Sequence, residues 1–239
     1  MLRVEELCCG YGKIEAVSDF SMEVTKDQIV ALVGANGAGK SSTIQCIAGH
    51  VARSSGRILW DGEDISGLSP QQRVKRGIAV APEGRRLFRD LTVRENLVIG
   101  GYCRPRTRES QNFERVMDIF PRLSERINSR AEHLSGGEQQ MVTIGRAMMA
   151  EPRLLMIDEV SLGLMPKNVD ICYEAISRLR SEGISVLLVE QNTVKALETA
   201  DSVYVLESGR QVWQGSAEAA RNDRSIVEAY LGGATAATI

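Results

Sequence analysis

Short β-branched and aliphatic runs recur along the chain at Val17–Val24, Ile29–Val33, Arg57–Trp60, Ile78–Ala81, Leu154–Ile157, Ser185–Val189 and Val203–Leu206. Several lack an apolar–polar alternation, which predicts strands buried on both faces of a largely parallel sheet. Helical patterns lie between them. Cys172, Ala175, Ile176 and Leu179 fall at i, i+3, i+4 and i+7, and Met141, Ile144 and Met148 form a comparable stripe. Phe113, Val116, Met117 and Phe120 repeat that spacing within about residues 88–132, a stretch without a convincing strand. It reads as a small helical lobe inserted into an α/β body, whose core covers about residues 1–87 and 133–231. Thr92 is placed to cap a helix from Val93 to about Gly101, with Glu95 at the capping-box position. Gly232–Ile239 reads as a frayed tail.

Against this frame, Gly34-Ala35-Asn36-Gly37-Ala38-Gly39-Lys40-Ser41 matches the phosphate-loop pattern G-x-x-x-x-G-K-[ST] without a mismatch. It follows the run Ile29–Val33 and precedes a helical segment, Ser42–Gly49, which is the strand–loop–helix setting the motif requires. Glycines let the backbone curl so that several N–H groups converge on one anion, and the helix start adds partial positive charge. Lys40 then places an ammonium on the β- and γ-phosphates, the Ser41 hydroxyl suits Mg²⁺, and Ser42 completes the loop's contacts. A second candidate is Leu154–Ile157, an apolar strand ending in Asp158 and Glu159. Ligands of open α/β folds bind at the carboxyl edge of the sheet. Because side chains alternate along a strand, the two acids should project differently: Asp158 toward the Mg²⁺ shell, Glu159 toward an attacking water.

Phosphate-loop ATPases are many, and a third element discriminates among them. Leu134-Ser135-Gly136-Gly137-Glu138-Gln139-Gln140, upstream of Asp158, resembles the signature sequence of the ABC ATPases. A serine and two glycines at a helix start make an anion site without a lysine, useful only if a γ-phosphate arrives from another subunit. The resemblance runs from Leu2 to about Leu231. It implies a P-loop NTPase fold of the ABC type, with a largely parallel RecA-like core, an antiparallel N-terminal subdomain and the inserted helical subdomain. It further implies a head-to-tail dimer, homo- or heteromeric, closing Ser135, Gly136, Gly137 and Glu138 of one subunit over ATP held by the phosphate loop of the other. Tyr11, in Gly10-Tyr11-Gly12, stands where that family places an aromatic against adenine.

Several positions depart from the common pattern. Glu83 replaces a glutamine after Ile78–Ala81, and Gln191 replaces a histidine after Ser185–Val189; His50 and His133 are the only histidines. The loop after the two acids, Val160-Ser161-Leu162-Gly163-Leu164, lacks the proline and the aspartate that are usual there, and Val160 and Met165 are its unusual positions. Glu83 can still ligate Mg²⁺, and the Gln191 amide can donate to phosphate but carries no proton to and fro. Taken together, Pro82-Glu83-Gly84-Arg85-Arg86, the signature, Ser161-Leu162-Gly163-Leu164 and Glu190-Gln191-Asn192 are similar to the ATPase subunits of branched-chain amino acid importers and their urea or amide relatives. A binding-only regulatory subunit with silenced catalysis is the rival reading, and intact Lys40, Asp158 and Glu159 count against it.

Composition adds exclusions. A formal net charge of −2 argues against nucleic-acid binding through bulk electrostatics. Cys8, Cys9, Cys46, Cys103 and Cys172 show no metal-ligand spacing. Apolar runs are far short of the roughly 20 residues of a spanning helix, and acids occupy the N-terminus where a signal peptide is apolar. Any membrane connection is therefore expected to run through a partner; the family resemblance implies permease subunits at the cytoplasmic face of the inner membrane, served by a separate substrate-binding protein. Arg85, Arg86, Leu87 and Phe88 offer a socket for a partner's helix.

Overall fold

The computed structural model describes residues 1–223; the tail expected from Gly232, and the end of the domain before it, lie outside the described residues. In chain order the elements are β1 (Leu2–Tyr11), β2 (Ile14–Val24), β3 (Ile29–Val33), α1 (Lys40–Ala48), β4 (Arg53–Trp60), β5 (Glu63–Asp64), α2 (Pro70–Lys75), β6 (Ile78–Ala81), α3 (Val93–Gly100), α4 (Glu109–Ile119), α5 (Gly136–Met148), β7 (Leu154–Asp158), α6 (Pro166–Ser181), β8 (Ser185–Glu190), α7 (Thr193–Thr199), β9 (Ser202–Glu207), β10 (Arg210–Ser216) and α8 (Ala217–Asn222). Among the described residues two compact units share them: Met1–Gly67 with residues 187–223, and Leu68–Val186. The stretch about 88–132 falls wholly inside the second unit.

In the first unit, β2, β1, β4 and β5 form an antiparallel sheet in that order. Leu2, Val4, Leu7 and Cys9 of β1 are buried while Arg3 and Glu6 face outward, so the acids near the N-terminus occupy the wet face of a strand. Left-handed backbone at Glu6 accompanies a register shift between Glu5 and the next paired residue of β1. The same unit carries β10, β9, β3 and the end of β8 as neighbours. β3 runs parallel to β9. All five residues of β3 are buried, as a continuous apolar run predicts for a strand covered on both faces. Asp201 fixes where it starts: its Oδ2 accepts from the Ile29 N–H at 2.8 Å, and its own N–H donates to the Ile29 carbonyl.

The second unit is built on β6 and β7, parallel neighbours with Ile78 opposite Leu154 and Ala81 opposite Ile157. Between them lie α3, α4, α5 and 3-10 turns at Arg106–Arg108, Pro121–Arg126 and Ala131–His133. The expected cap of α3 forms: Thr92 Oγ1 accepts from the Glu95 N–H at 3.2 Å, and Glu95 Oε2 from the Thr92 N–H at 2.8 Å. Asn96, fully buried, ties the loop before α3 to the helix. Its amide donates to the carbonyls of Phe88, Leu91 and Thr92, and its Oδ1 accepts from the Phe88 N–H. The stripe Cys172, Ala175, Ile176 and Leu179 is the buried face of α6.

Candidate functional site

In the first unit the chain leaves β3 into the phosphate loop, and its glycines are needed for two reasons. Gly34 and Gly39 have φ of 154° and 103°, the left-handed side that L residues avoid. A side chain at either would also meet backbone: the Leu206 carbonyl for Gly34, and the Ala16 carbonyl, at 2.6 Å, for Gly39. The loop is braced from outside by β2 and the β9–β10 turn. The Gly209 N–H donates to the Ala38 carbonyl at 3.0 Å, and the Ser18 N–H to the Gly209 carbonyl at 2.8 Å.

α1 then starts at Lys40 on Gly39, with no side chain capping its first turn. A helix start presented in this way is where a phosphate binds. Lys40 is only 4% exposed, and its Nζ donates to the carbonyls of Gly34 (2.9 Å) and Ala35 (3.0 Å). The ammonium is therefore drawn back onto the first two residues of the loop. Ala35, Asn36, Gly37 and Ala38 form the loop's outer curve, closed by the Ala38 N–H donating to the Ala35 carbonyl, while Ser41 and Ser42 belong to the first turn of α1. This geometry fits a polyphosphate. Tyr11 ends β1 with its ring 55% exposed, opposite Ile14 in the hairpin. Gln191 is exposed immediately after β8, before Asn192, the residue that precedes α7.

The second unit brings the acids together on one sheet edge. Since Ala81 and Ile157 are level, Glu83 and the pair Asp158–Glu159 all emerge at the carboxyl ends of two parallel strands. Asp158 is 1% exposed and ends the strand, whereas Glu159 is partly exposed with φ of 54°. Left-handed backbone at a non-glycine residue costs on the order of 1 kcal/mol or more. It takes the chain off the strand course at Glu159, directly after the last residue of β7. Among the described residues no three His, Cys, Asp or Glu gather into a protein-only metal cage.

Ser135 caps α5 by a reciprocal pair of bonds. Its Oγ accepts from the Glu138 N–H at 3.3 Å, and Glu138 Oε2 accepts from the Ser135 N–H at 2.8 Å. The cap leaves the Ser135 hydroxyl its own proton to donate. Gly136 and Gly137 follow, and a side chain at Gly137 would collide with Asn168 of α6. Burial works to raise the Glu138 pKa, but the bonds from Ser135 and the cations Arg122 (3.3 Å) and Arg126 (3.6 Å) outweigh it and hold the carboxyl below its ordinary range. A depressed folded-state pKa stabilises at pH above the unfolded value, and the contribution fades as pH falls through the folded one. Glu138→Gln keeps the cap and removes the charge. It should cost about 1 kcal/mol at neutral pH, given that both arginines are half-exposed, and the gap in thermal denaturation should close on acidification.

Sequence reasoning missed what surrounds these motifs. Arg85 reaches both the signature helix and the loop after Glu159. Its Nη1 donates to Gln139 Oε1 and its Nη2 to the Leu162 carbonyl, each at 3.4 Å. Thr143 and Arg146 of α5 hold the loop's carbonyls from below. No periodicity announces such contacts, which depend on a backbone turn at Gly84–Arg86.

Comparison with known proteins identifies the family of this fold. A family model described as ABC transporter matches residues 17–161. A relative from Pseudomonas aeruginosa, the high-affinity branched-chain amino acid transport ATP-binding protein BraG, is 46% identical over 98% of this chain and 100% of its own length. The lipopolysaccharide export system ATP-binding protein LptB of Haemophilus influenzae is 34% identical, covering 97% of each chain. Among solved structures, a nucleotide-free ATP-binding cassette from an ABC transporter superposes with a TM-score of 0.85 at 25% identity, over 95% of this chain and 97% of that one. An ADP-bound cassette of an ABC transporter gives 0.82 at 27% identity, with the same coverage. The phosphate loop, the acids ending β7 and the glycine-led helix start thus sit on a shared scaffold, and the chain belongs to the ABC transporter family as one of its ATP-binding, ATP-hydrolysing subunits.

Proposed function

We propose that this subunit powers an importer of branched-chain or related amino acids by hydrolysing MgATP between two ABC subunits. The 46% identity with a branched-chain amino acid transport subunit along nearly the whole chain carries the cargo assignment; the exporter relative stands at 34%. Within the site, Lys40 and the N–H groups of Gly34–Ser42 hold the β- and γ-phosphates. Tyr11 offers its exposed ring to adenine. Ser41, Asp158 and Glu83 supply oxygens for Mg²⁺, which when bound neutralises phosphate charge. Glu159 accepts a proton from the attacking water, and Gln191 orients the γ-phosphate by an amide N–H. Ser135, Gly136, Gly137 and Glu138 close the site from the facing subunit.

No helix among the described residues is long and apolar enough to cross a membrane, so a transport role requires transmembrane partners. The subunit is then peripheral, at the cytoplasmic face. The test is affinity purification of the tagged chain from detergent-solubilised membranes, with its partners identified by mass spectrometry. Permease subunits, with a second ABC subunit at equal or double dose, are expected, and ATP-driven uptake of leucine or valine into vesicles carrying the complex. Recovery of the chain without any transmembrane protein contradicts the transport role. Uptake of urea or short amides in place of amino acids contradicts the cargo.

A further inference from the structure

The loop after β6 is held in an uncommon conformation. Gly84, Arg85 and Arg86 have φ of 70°, 64° and 44°, three left-handed residues in succession, two of them not glycine. Such backbone is strained at a non-glycine residue and persists only where the surroundings enforce it. Here α5 does so. Thr143 Oγ1 donates to the Arg85 carbonyl at 3.1 Å, and Arg146 donates to the carbonyls of Arg85 (3.2 Å) and Arg86 (2.9 Å). The turn is tightened by the Arg86 N–H donating to the Gly84 carbonyl at 2.7 Å.

That conformation directs the Arg85 side chain along the start of the signature helix. Its guanidinium atoms lie 3.2–3.6 Å from the place a Cβ on Gly136 would occupy, so a side chain at 136 would press on it. The same fork donates to Gln139 Oε1 on α5 and to the Leu162 carbonyl, three residues after Glu159. Both bonds are 3.4 Å, at the long limit, and a cation beside a helix N-terminus is unfavourable. An anion arriving at that helix start reverses the sign of the interaction.

We propose that Arg85 is a positioning residue of the nucleotide sandwich, tying the signature helix to the loop behind Glu159 so that both engage the facing subunit together. The proposal rests on the reading that Ser135–Gly137 closes over a nucleotide held by a second subunit. Arg85 acts through its neighbours. The phosphate loop of its own subunit is left unaltered, which separates its effect from that of Lys40.

The experiment uses the full chain carrying Glu159→Gln, alone and with its natural mate, and follows MgATP-dependent association by sedimentation velocity. Arg85→Asn removes the fork while tolerating left-handed backbone. The association constant should fall at least tenfold, roughly 1.4 kcal/mol, while MgATP affinity of the separate subunit, measured with a fluorescent nucleotide, stays within about twofold. Arg85→Lys keeps the charge but cannot bridge Gln139 and Leu162 at once, and should recover only a minor part of the loss. Unchanged association in Arg85→Asn, full recovery in Arg85→Lys, or an equal loss of monomer affinity each overturns the proposal. If the parent Glu159→Gln protein itself does not associate with MgATP, the sandwich reading falls with it, and that failure is recognised in the parent.

Discussion

Glu159→Gln should lower phosphate release by roughly 10²–10⁴-fold, the usual contribution of a positioned general base, while MgATP binding persists. The substitution is nearly isosteric and removes only the capacity to take a proton. The structure supports a separation of roles between the two acids. Asp158 ends a fully buried strand, whereas Glu159 is partly exposed and follows it with a left-handed φ. Gln191 cannot substitute as a base, since an amide does not accept a proton at neutral pH. A phosphate-release assay run beside a nucleotide affinity measurement checks both halves. Retention of a third of wild-type turnover would remove Glu159 from the role.

Lys40→Ala should fail earlier, at binding. A charge-assisted hydrogen bond contributes roughly 1.5–3 kcal/mol, and Lys40 is placed to make two, so MgATP affinity should drop by about 10²-fold or more. Part of the loss comes from the loop itself, because the ammonium is the donor that gathers the carbonyls of Gly34 and Ala35. Isothermal titration with MgATP reads the effect directly. Binding within threefold of wild type would mean that the loop's N–H groups suffice without the cation.

The parts of this molecule legible in the sequence are those whose cause is local. Ile29–Val33 and Ile78–Ala81 are strands with the predicted bounds, because runs of five and four apolar residues bounded by turn signals leave little choice. The cap at Thr92 and the helix start at Ser135 were readable for the same reason, each residue finding its partner three positions on. β1 was missed because its outward face carries Arg3, Glu5 and Glu6, and a bulge at Glu6 interrupts its alternation. β10 was missed because half of it faces solvent, with no residue fully buried. At the site, the residues proposed to do the chemistry were visible as motifs. Those that mount them were not: Arg85, Thr143, Arg146 and Asn168 act through pairings remote in sequence and through a left-handed turn that no composition predicts.

The sandwich itself can be tested by complementation. Lys40→Ala destroys the phosphate loop and spares the signature, while Gly136→Asp places a negative charge at the signature and spares the loop. Under conditions where the wild-type chain alone hydrolyses ATP, each variant alone should be inactive. Mixed in equal amounts they can assemble one site from an intact loop of one subunit and an intact helix start of the other, so phosphate release should return to a substantial fraction of wild type. Two inactive variants that stay inactive at every mixing ratio would contradict a site built from two subunits.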